Sequence, residues 1–580
     1  MPLTARQRTA KNGSKRAPSF NKGKRPRKGS EGDYLVSNAS TDLKSLAYPG
    51  GAVALLVLVT SRLAAAYFGH VADCDETYNY WEPLHYLVYG SGLQTWEYSP
   101  QYAIRSYAPL WLFAVPANFL KSFCTPVVIF YVIRALLAVL TALAEFMFYK
   151  AVCHEFGTNV GRLWLALAAP AAGMAASSAA LLPSAWSGAL AAAALACWWR
   201  RRYAPAVVFT AVNVLLSWPF TILLGAPIAI DMLILKRKYT EFIKWSLISL
   251  VVILVPTIAV DSWHYGRLVV APWNIVAYNI FTEHGPDLYG VEPWTYYFVN
   301  GFLNFNFVWI LALLCPLLLT LSQHVTSSSR PPLSLPYWLS LMPLGAWLVV
   351  FMLQPHKEER FLYPVYSLIP LAAAISLDAL WRATQAVLRA RRHSPPPAAP
   401  LARVFILAVA IASISRSISL YNNYHGPMSL LRSLPPTESA TVCLGKDWYR
   451  SPSSFHLPEE CEVRFVKSEF SGQMPAPYDV GSNATRIVHP YFNDLNKEDT
   501  RTYIPPEKCH YLVDSDIGDP TPLQPDYHSD TQRWEVVNSV PILDAAKSDP
   551  LLRAFYVPFL SSRTNVYANL YLLRNKLLNA

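Results

Sequence analysis

Charged side chains are scarce in this chain. Asp, Glu, Lys and Arg make up 15% of its 580 residues, against about 25% in soluble domains. With 53% hydrophobic and 13% aromatic residues, that shortage excludes a soluble enzyme and points to the bilayer. The eight cysteines contain no CxxC pair and no zinc spacing, so no thiolate metal site is expected. No internal repeat is visible, which counts against a transporter built on inverted repeats. The first apolar run begins too far from Met1 for a cleaved signal peptide. The net charge is +11, but residues 1–48 hold 11 Lys/Arg against 3 Asp/Glu. The basic balance therefore describes a tail, and a nucleic-acid-binding face is excluded.

Apolar runs fill most of the rest, several approaching the roughly 20 residues that span a bilayer. About eleven spans are expected, at 50–68, 127–149, 163–177, 181–199, 203–217, 220–235, 245–260, 303–321, 337–353, 361–380 and 404–420. Segment 108–123 is read as re-entrant, because Pro109, Pro116 and Lys121 make it a poor span. The positive-inside rule puts the tail in the cytosol, and an odd span count puts the C-terminus opposite. The chain thus divides into a disordered basic cytosolic tail (1–48), a polytopic α-helical membrane domain (49–420) and a C-terminal soluble α/β or β-rich domain (421–580). Loops 69–107 and 261–300 share the non-cytosolic side with that last domain. Within it, 462–466 and 566–572 have strand-like composition. Cys443 and Cys461 are expected to pair there, with Cys509 as the other partner to weigh.

Polar residues gather in the non-cytosolic loops; within the spans Arg62, Arg134, Glu145 and Arg416 are the near candidates for an intramembrane pathway. The richest loop places Asp73, Asp75 and Glu76 within four positions. Asp73 and Glu76 fit a helix capping box. Asp75 is not needed for capping, and a helix N-terminus keeps a carboxylate charged, as a general base requires. Tyr78 and Trp81, in the same loop, fit either an interfacial belt or a sugar-stacking surface. A second cluster, His356, Lys357 and Arg360, opens the apolar run 361–380. It reads as a phosphate site or as a snorkelling rim neutralised by Glu358 and Glu359. A third, with His284, Asp287, Tyr289, Glu292 and Trp294, is an ordered loop carrying the side chains that sugar hydroxyls need.

The string DCDETYNYWEPLHYLVYGSGLQTWEYSPQYAIRSYAPL from Asp73 resembles the endoplasmic-reticulum mannosyltransferases that use dolichyl-phosphate mannose. HKEERFLYP from His356 looks like the hallmark of glycosyltransferase family 22, and EHGPDLYGVEPW departs from that family's pattern only at Glu283 and Val291. GFLNFN, KCHYLVD and LLRAFYVPFL, further along, resemble the alpha-1,2-mannosyltransferases of the lipid-linked N-glycan precursor pathway. The resemblance implies a GT-C glycosyltransferase fold with a lumenal active site in the endoplasmic-reticulum membrane. It implies inverting transfer of mannose from dolichyl-phosphate mannose to a dolichyl-diphosphate oligosaccharide, on six- and eight-mannose intermediates. No cofactor and no metal would be needed, the lipid donor acting as co-substrate. Asp75 becomes the base, with Asp73 or Glu76 in reserve. His356, Lys357 and Arg360, with Arg105, become donor-phosphate ligands. His284, Asp287, Tyr289, Glu292 and Trp294 become substrate contacts. The competing readings are a GPI-anchor mannosyltransferase and a transporter or scramblase of the lipid-linked sugar.

Overall fold

The computed structural model describes residues 50–282, 286–326, 335–390, 398–435 and 439–578. The tail expected over 1–48 and the residue His284 lie outside the described residues.

Four helices are long and apolar enough to cross a membrane alone: α1 (Gly51–Phe68), α2 (Pro126–Glu155), α3 (Tyr239–Tyr265) and α4 (Ala398–Tyr424, apolar over Ala402–Tyr424). α2 starts on Pro126 after Thr125, where a missing N–H costs nothing. Its 30 residues give a rod of about 45 Å. α1 and α2 are joined by the buried pair Arg62–Glu145 at 2.9 Å. Arg62 also donates to the carbonyls of Ala168 and Ala169. Two of the four ionisable residues noted within the spans are therefore a structural tie.

Three expected spans are broken. Segment 163–177 splits at Pro170 into Thr158–Ala168 and Ala172–Ser178, and the latter bends by 107° into Pro183–Trp199. Segment 303–321 breaks at Asn306, whose φ is +46°, and again before Cys315–Val325, with a 63° bend. The run 361–380 opens as a 3-10 turn, Glu359–Val365, then bends by 59° into the next helix. Each break lies at or beside a proline or a left-handed residue, where the helical hydrogen-bond ladder fails. Segment 108–123 is a 13-residue helix, Ala108–Leu120, with Pro116 inside. Asp261 receives Ser106 Oγ and the N–H groups of Tyr107 and Ala108 at its N-terminus.

Beyond α4 lies a five-stranded mixed sheet of β1 (Thr441–Leu444), β2 (Glu462–Phe465), β3 (Tyr511–Ser515), β4 (Trp534–Leu543) and β5 (Tyr567–Asn575), in the order β2-β1-β3-β5-β4. β1 is parallel to β2 and β3, and β5 is antiparallel to β3 and β4. This sheet and the helices form one compact unit from Pro49 to Ala580. The first polar loop supplies the joint. Glu82, fully buried, accepts from Ser454 N, Ser454 Oγ and Leu93 N, and Thr77 Oγ1 donates to Ser451 O.

The disulfide joins Cys443 to Cys509, with Cα atoms 5.8 Å apart, not Cys443 to Cys461. Successive strand residues face opposite sides of a sheet. Cys443 packs with Leu512, Trp534 and Leu573 on one side. Val442, Leu444, Val463 and Cys461 pack on the other. Closing the 66-residue separation contributes about 4 kcal/mol in the chain-entropy account, and Cys509→Ser should lose stability of that order. Non-reduced peptide mapping should find the 443 and 509 peptides linked; a 443–461 link would overturn the pairing.

Candidate active site

Asp73 has extended backbone and caps the helix that follows, its carboxylate accepting from Asp75 N at 2.9 Å. The capping box is only half realised. Glu76 turns into the protein, where it accepts from Trp81 Nε1 and from Leu181 N, both at 2.9 Å. Burial pushes its carboxyl up. A π-helical stretch, Thr77–Trp81, follows. It turns Tyr78 toward the C-terminal sheet, where its hydroxyl donates to Trp448 O at 2.7 Å. Trp81 is fully buried against Phe130 and Phe455. Both rings, read from sequence as sugar platform or interfacial belt, are packing residues here, since neither leaves a face open.

Asp73 and Asp75 are left as the polar front of the loop, and both meet Arg360. Its Nη2 lies 2.5 Å from Asp75 Oδ2 and its Nη1 3.0 Å from Asp73 Oδ2, while Nε pairs with Glu358. The guanidinium bridges motifs 285 residues apart. The two carboxyls are driven in opposite directions. Burial lifts Asp73 to about 7 against the pull of Arg360. For Asp75 burial also works upward, but Arg360 and Arg105 outweigh it and hold the carboxyl below its usual range. One acid is thus kept ionised beside another that readily takes a proton.

Arg105 stands close enough to act on Asp75 through charge. It is held by Glu97 through two hydrogen bonds of 2.9 and 3.0 Å, and donates to Tyr80 at 2.6 Å. Its backbone is pinned where Tyr265 donates to its carbonyl at 2.7 Å. His356 is raised by its bond to Glu358, and its two ring nitrogens lie 2.9 Å from that carboxylate and from Gly290 O. Lys357 is buried, its ammonium turned to the carbonyls of Glu292 (3.0 Å) and Gln354 (2.6 Å). It clamps the third loop to the second motif, as does Glu292 N on Pro355 O. Tyr289 stands within electrostatic reach of Glu97 and Asp75, while Trp294 is exposed against Phe298. Asp287 falls in the short turn Pro286–Tyr289. The three loops thus meet, except for His284.

The sequence marks Glu358 only as a neutralising neighbour and Tyr80 only as one of the loop's aromatic rings, and it does not single out Glu97. Glu97 was findable as an acid eight residues before Arg105 in one aromatic loop. Asp73, Cys74 and Asp75 bring one potential ligand atom each within 4.8 Å, the one such trio among the described residues. Arg360 already occupies both carboxylates, and burial pushes the Cys74 thiol up, away from the thiolate a metal needs.

The profile of the Alg9-like mannosyltransferase family matches residues 53–458. The alpha-1,2-mannosyltransferase Alg9 of Drosophila melanogaster is 44% identical over 547 residues, covering 91% of this chain and 88% of that protein. The human alpha-1,2-mannosyltransferase ALG9 is 45% identical over 543 residues, covering 91% and 89%. GPI mannosyltransferase 3 of Drosophila melanogaster is 34% identical over 128 residues, only 22% of this chain. The match thus runs from the first helix through the acidic loop and the HKEER motif, and with the near-full-length relatives it reaches into the C-terminal sheet. The chain is an enzyme, an alpha-1,2-mannosyltransferase, and it belongs to the Alg9-like mannosyltransferase family.

Proposed function

We propose that this enzyme transfers mannose from dolichyl-phosphate mannose to a dolichyl-diphosphate oligosaccharide, making an alpha-1,2 bond at the six- and eight-mannose stages of N-glycan precursor assembly. The observation that carries the reading is the contact of Asp75 with Arg360, which joins an ionised acid to a cation suited to phosphate. The near-full-length relatives named for alpha-1,2 transfer support the linkage.

A beta-linked donor and an alpha product require one inverting displacement. The acceptor hydroxyl oxygen attacks C1 of mannose, and the C1–O bond to phosphate breaks. Its electron pair stays on the dolichyl phosphate, and the hydroxyl proton passes to Asp75. In the ground state Asp75 is a weak base, because Arg360 holds its charge. A donor phosphate arriving on Arg360 competes with that pair and raises the basicity of Asp75 where the acceptor binds. His356 adds a cation at the same edge, and Lys357 acts by fixing the third loop. The reaction needs no cofactor, since a lipid phosphate held by cations leaves readily.

The site faces the lumen of the endoplasmic reticulum in this reading. Asn483, in the sequon Asn483-Ala484-Thr485, is exposed and should carry a glycan; an endoglycosidase-sensitive mass shift checks this. The enzymatic test is purified protein with dolichyl-phosphate mannose and defined six-, seven- and eight-mannose acceptors. Incorporation resistant to alpha-1,2-mannosidase would overturn the linkage, and movement of lipid without transfer would restore the scramblase reading.

A further inference from the structure

The cations of the HKEER site are already engaged. Arg360 meets three carboxylates, Arg105 is matched by Glu97, and Lys357 lies on two carbonyls. Among the described residues, a second group of basic side chains donates to carbonyls but makes no direct ion pair with a carboxylate. Arg134 of α2 donates to the carbonyls of Ala66 and Gly69. Arg416 of α4 donates to Ala554 O, and its Nε is buried with no partner, as is Nδ1 of His425. His70, just past α1, stacks on Tyr424 at 5.5 Å, and His425 stacks on Tyr421 at 4.5 Å. Arg432 lies over the ring of Tyr131.

Two acids act on this group through charge, Glu76 on Arg134 and Glu359 on Arg416, and each is also held by neutral donors. Glu76 serves Trp81 and Leu181, and Glu359 is hydrogen-bonded by Asn304. The imbalance shows in the imidazoles. Burial, then Arg134, His425 and Arg416, bring His70 down to about 3. His425 is lowered by burial and by Arg432 and Arg134.

The depth is marked by aromatic rings. Tyr67 and Phe68 end α1, Tyr131 lies near the start of α2, and Tyr421 lies near the end of α4. Neighbouring rings are 5.0 Å (Tyr67–Phe68), 5.8 Å (Tyr67–Tyr131) and 6.0 Å (Phe68–Tyr421) apart. Tyr67, Phe68 and Tyr421 are exposed. Exposed aromatics at the ends of apolar helices sit at headgroup level, where a lipid presents its phosphate.

We propose that His70, Arg134, Arg416 and His425 form a second phosphate site, which takes the head of a polyprenyl phosphate or diphosphate while its chain stays in the bilayer. The inference rests on the reaction proposed above, in which donor and acceptor are both lipid phosphates and need separate anion sites. An arriving phosphate supplies the acceptor that Arg416 Nε lacks and adds negative charge among these basic groups.

The test is equilibrium binding to the full-length protein in nanodiscs of zwitterionic lipid. The probes are polyprenyl phosphate, polyprenyl diphosphate, polyprenol and inorganic phosphate. Arg416→Gln and His70→Gln should each weaken one phosphorylated lipid tenfold or more and leave polyprenol unchanged, with Arg416→Lys retaining most of the affinity. A loss confined to the diphosphate assigns the acceptor, and one confined to the monophosphate overturns the division into separate donor and acceptor sites. An equal loss for inorganic phosphate overturns the lipid assignment, and unchanged binding in both folded variants overturns the site. In the unmodified protein, a photoreactive polyprenyl phosphate or diphosphate should label 67–70 and 421–425; labelling elsewhere by both also overturns it. Binding is read without turnover, so the outcome for Arg416→Gln and His70→Gln stands whether or not the proposed reaction occurs.

Discussion

Asp75→Asn should lower turnover by about 10²-fold or more while expression and donor binding are retained. The acceptor hydroxyl is a poor nucleophile until its proton leaves, and Asp75 is the acid held ionised at the meeting of the motifs. The change keeps shape and leaves the cap of Asp73 on Asp75 N intact. Arg360 retains Asp73 and Glu358 as partners, so the loop should stay in place. Asp73→Asn is a different experiment, because Asp73 both caps and pairs with Arg360. Asn caps a helix about as well as Asp, so the change should cost mainly the ion pair and affect turnover less. Near-normal turnover in Asp75→Asn with loss in Asp73→Asn would move the base to Asp73. Full activity in both would remove this loop from the chemistry.

Arg360→Gln should reduce kcat/KM for the donor by about 10²-fold or more, the scale for losing one preorganised donor to developing charge. KM for the acceptor should move less. A second signature follows from the same contact. Arg360 is the main group holding the Asp75 carboxyl down, so its removal lets that pKa rise. The active form has Asp75 ionised, and the acidic limb of the pH–rate profile should shift to higher pH. Arg360→Lys keeps a charge but not the fork that spans two carboxylates, and should recover only part of both effects. An unchanged profile together with an unchanged donor KM would sink the assignment; a defect confined to the acceptor would reassign the motif to glycan binding.

Several residue roles were legible before any coordinates. Asp73 as a cap follows from local chemistry and holds. Glu76 fitted the other half of a capping box, but its side chain points to Trp81 and Leu181. A buried tryptophan and a helix start more than a hundred residues away offered it partners no spacing rule contains. Lys357 reads in the sequence as a phosphate ligand or a rim cation neutralised by Glu358 and Glu359, yet its ammonium is closed off by two carbonyls, one of them in another loop. Glu97 takes its meaning only from Arg105, and Glu358 from His356 and Arg360, partners that lie on both sides of it.

Apolar run length, proline placement and motif strings are local properties, so the sequence by itself determined a polytopic helical chain, a soluble C-terminal region and membership of a mannosyltransferase family. Pairing across the chain was decided only by the tertiary structure. Cys443 chooses Cys509 over the nearer Cys461 because strand register puts Cys461 on the opposite face of the sheet. Asp75 meets Arg360 across 285 residues because the broken helix at Glu359–Val365 brings the guanidinium up to the first loop. Composition and spacing act along the chain, whereas charge and packing act through space, over a few ångströms, between whatever groups the fold brings together.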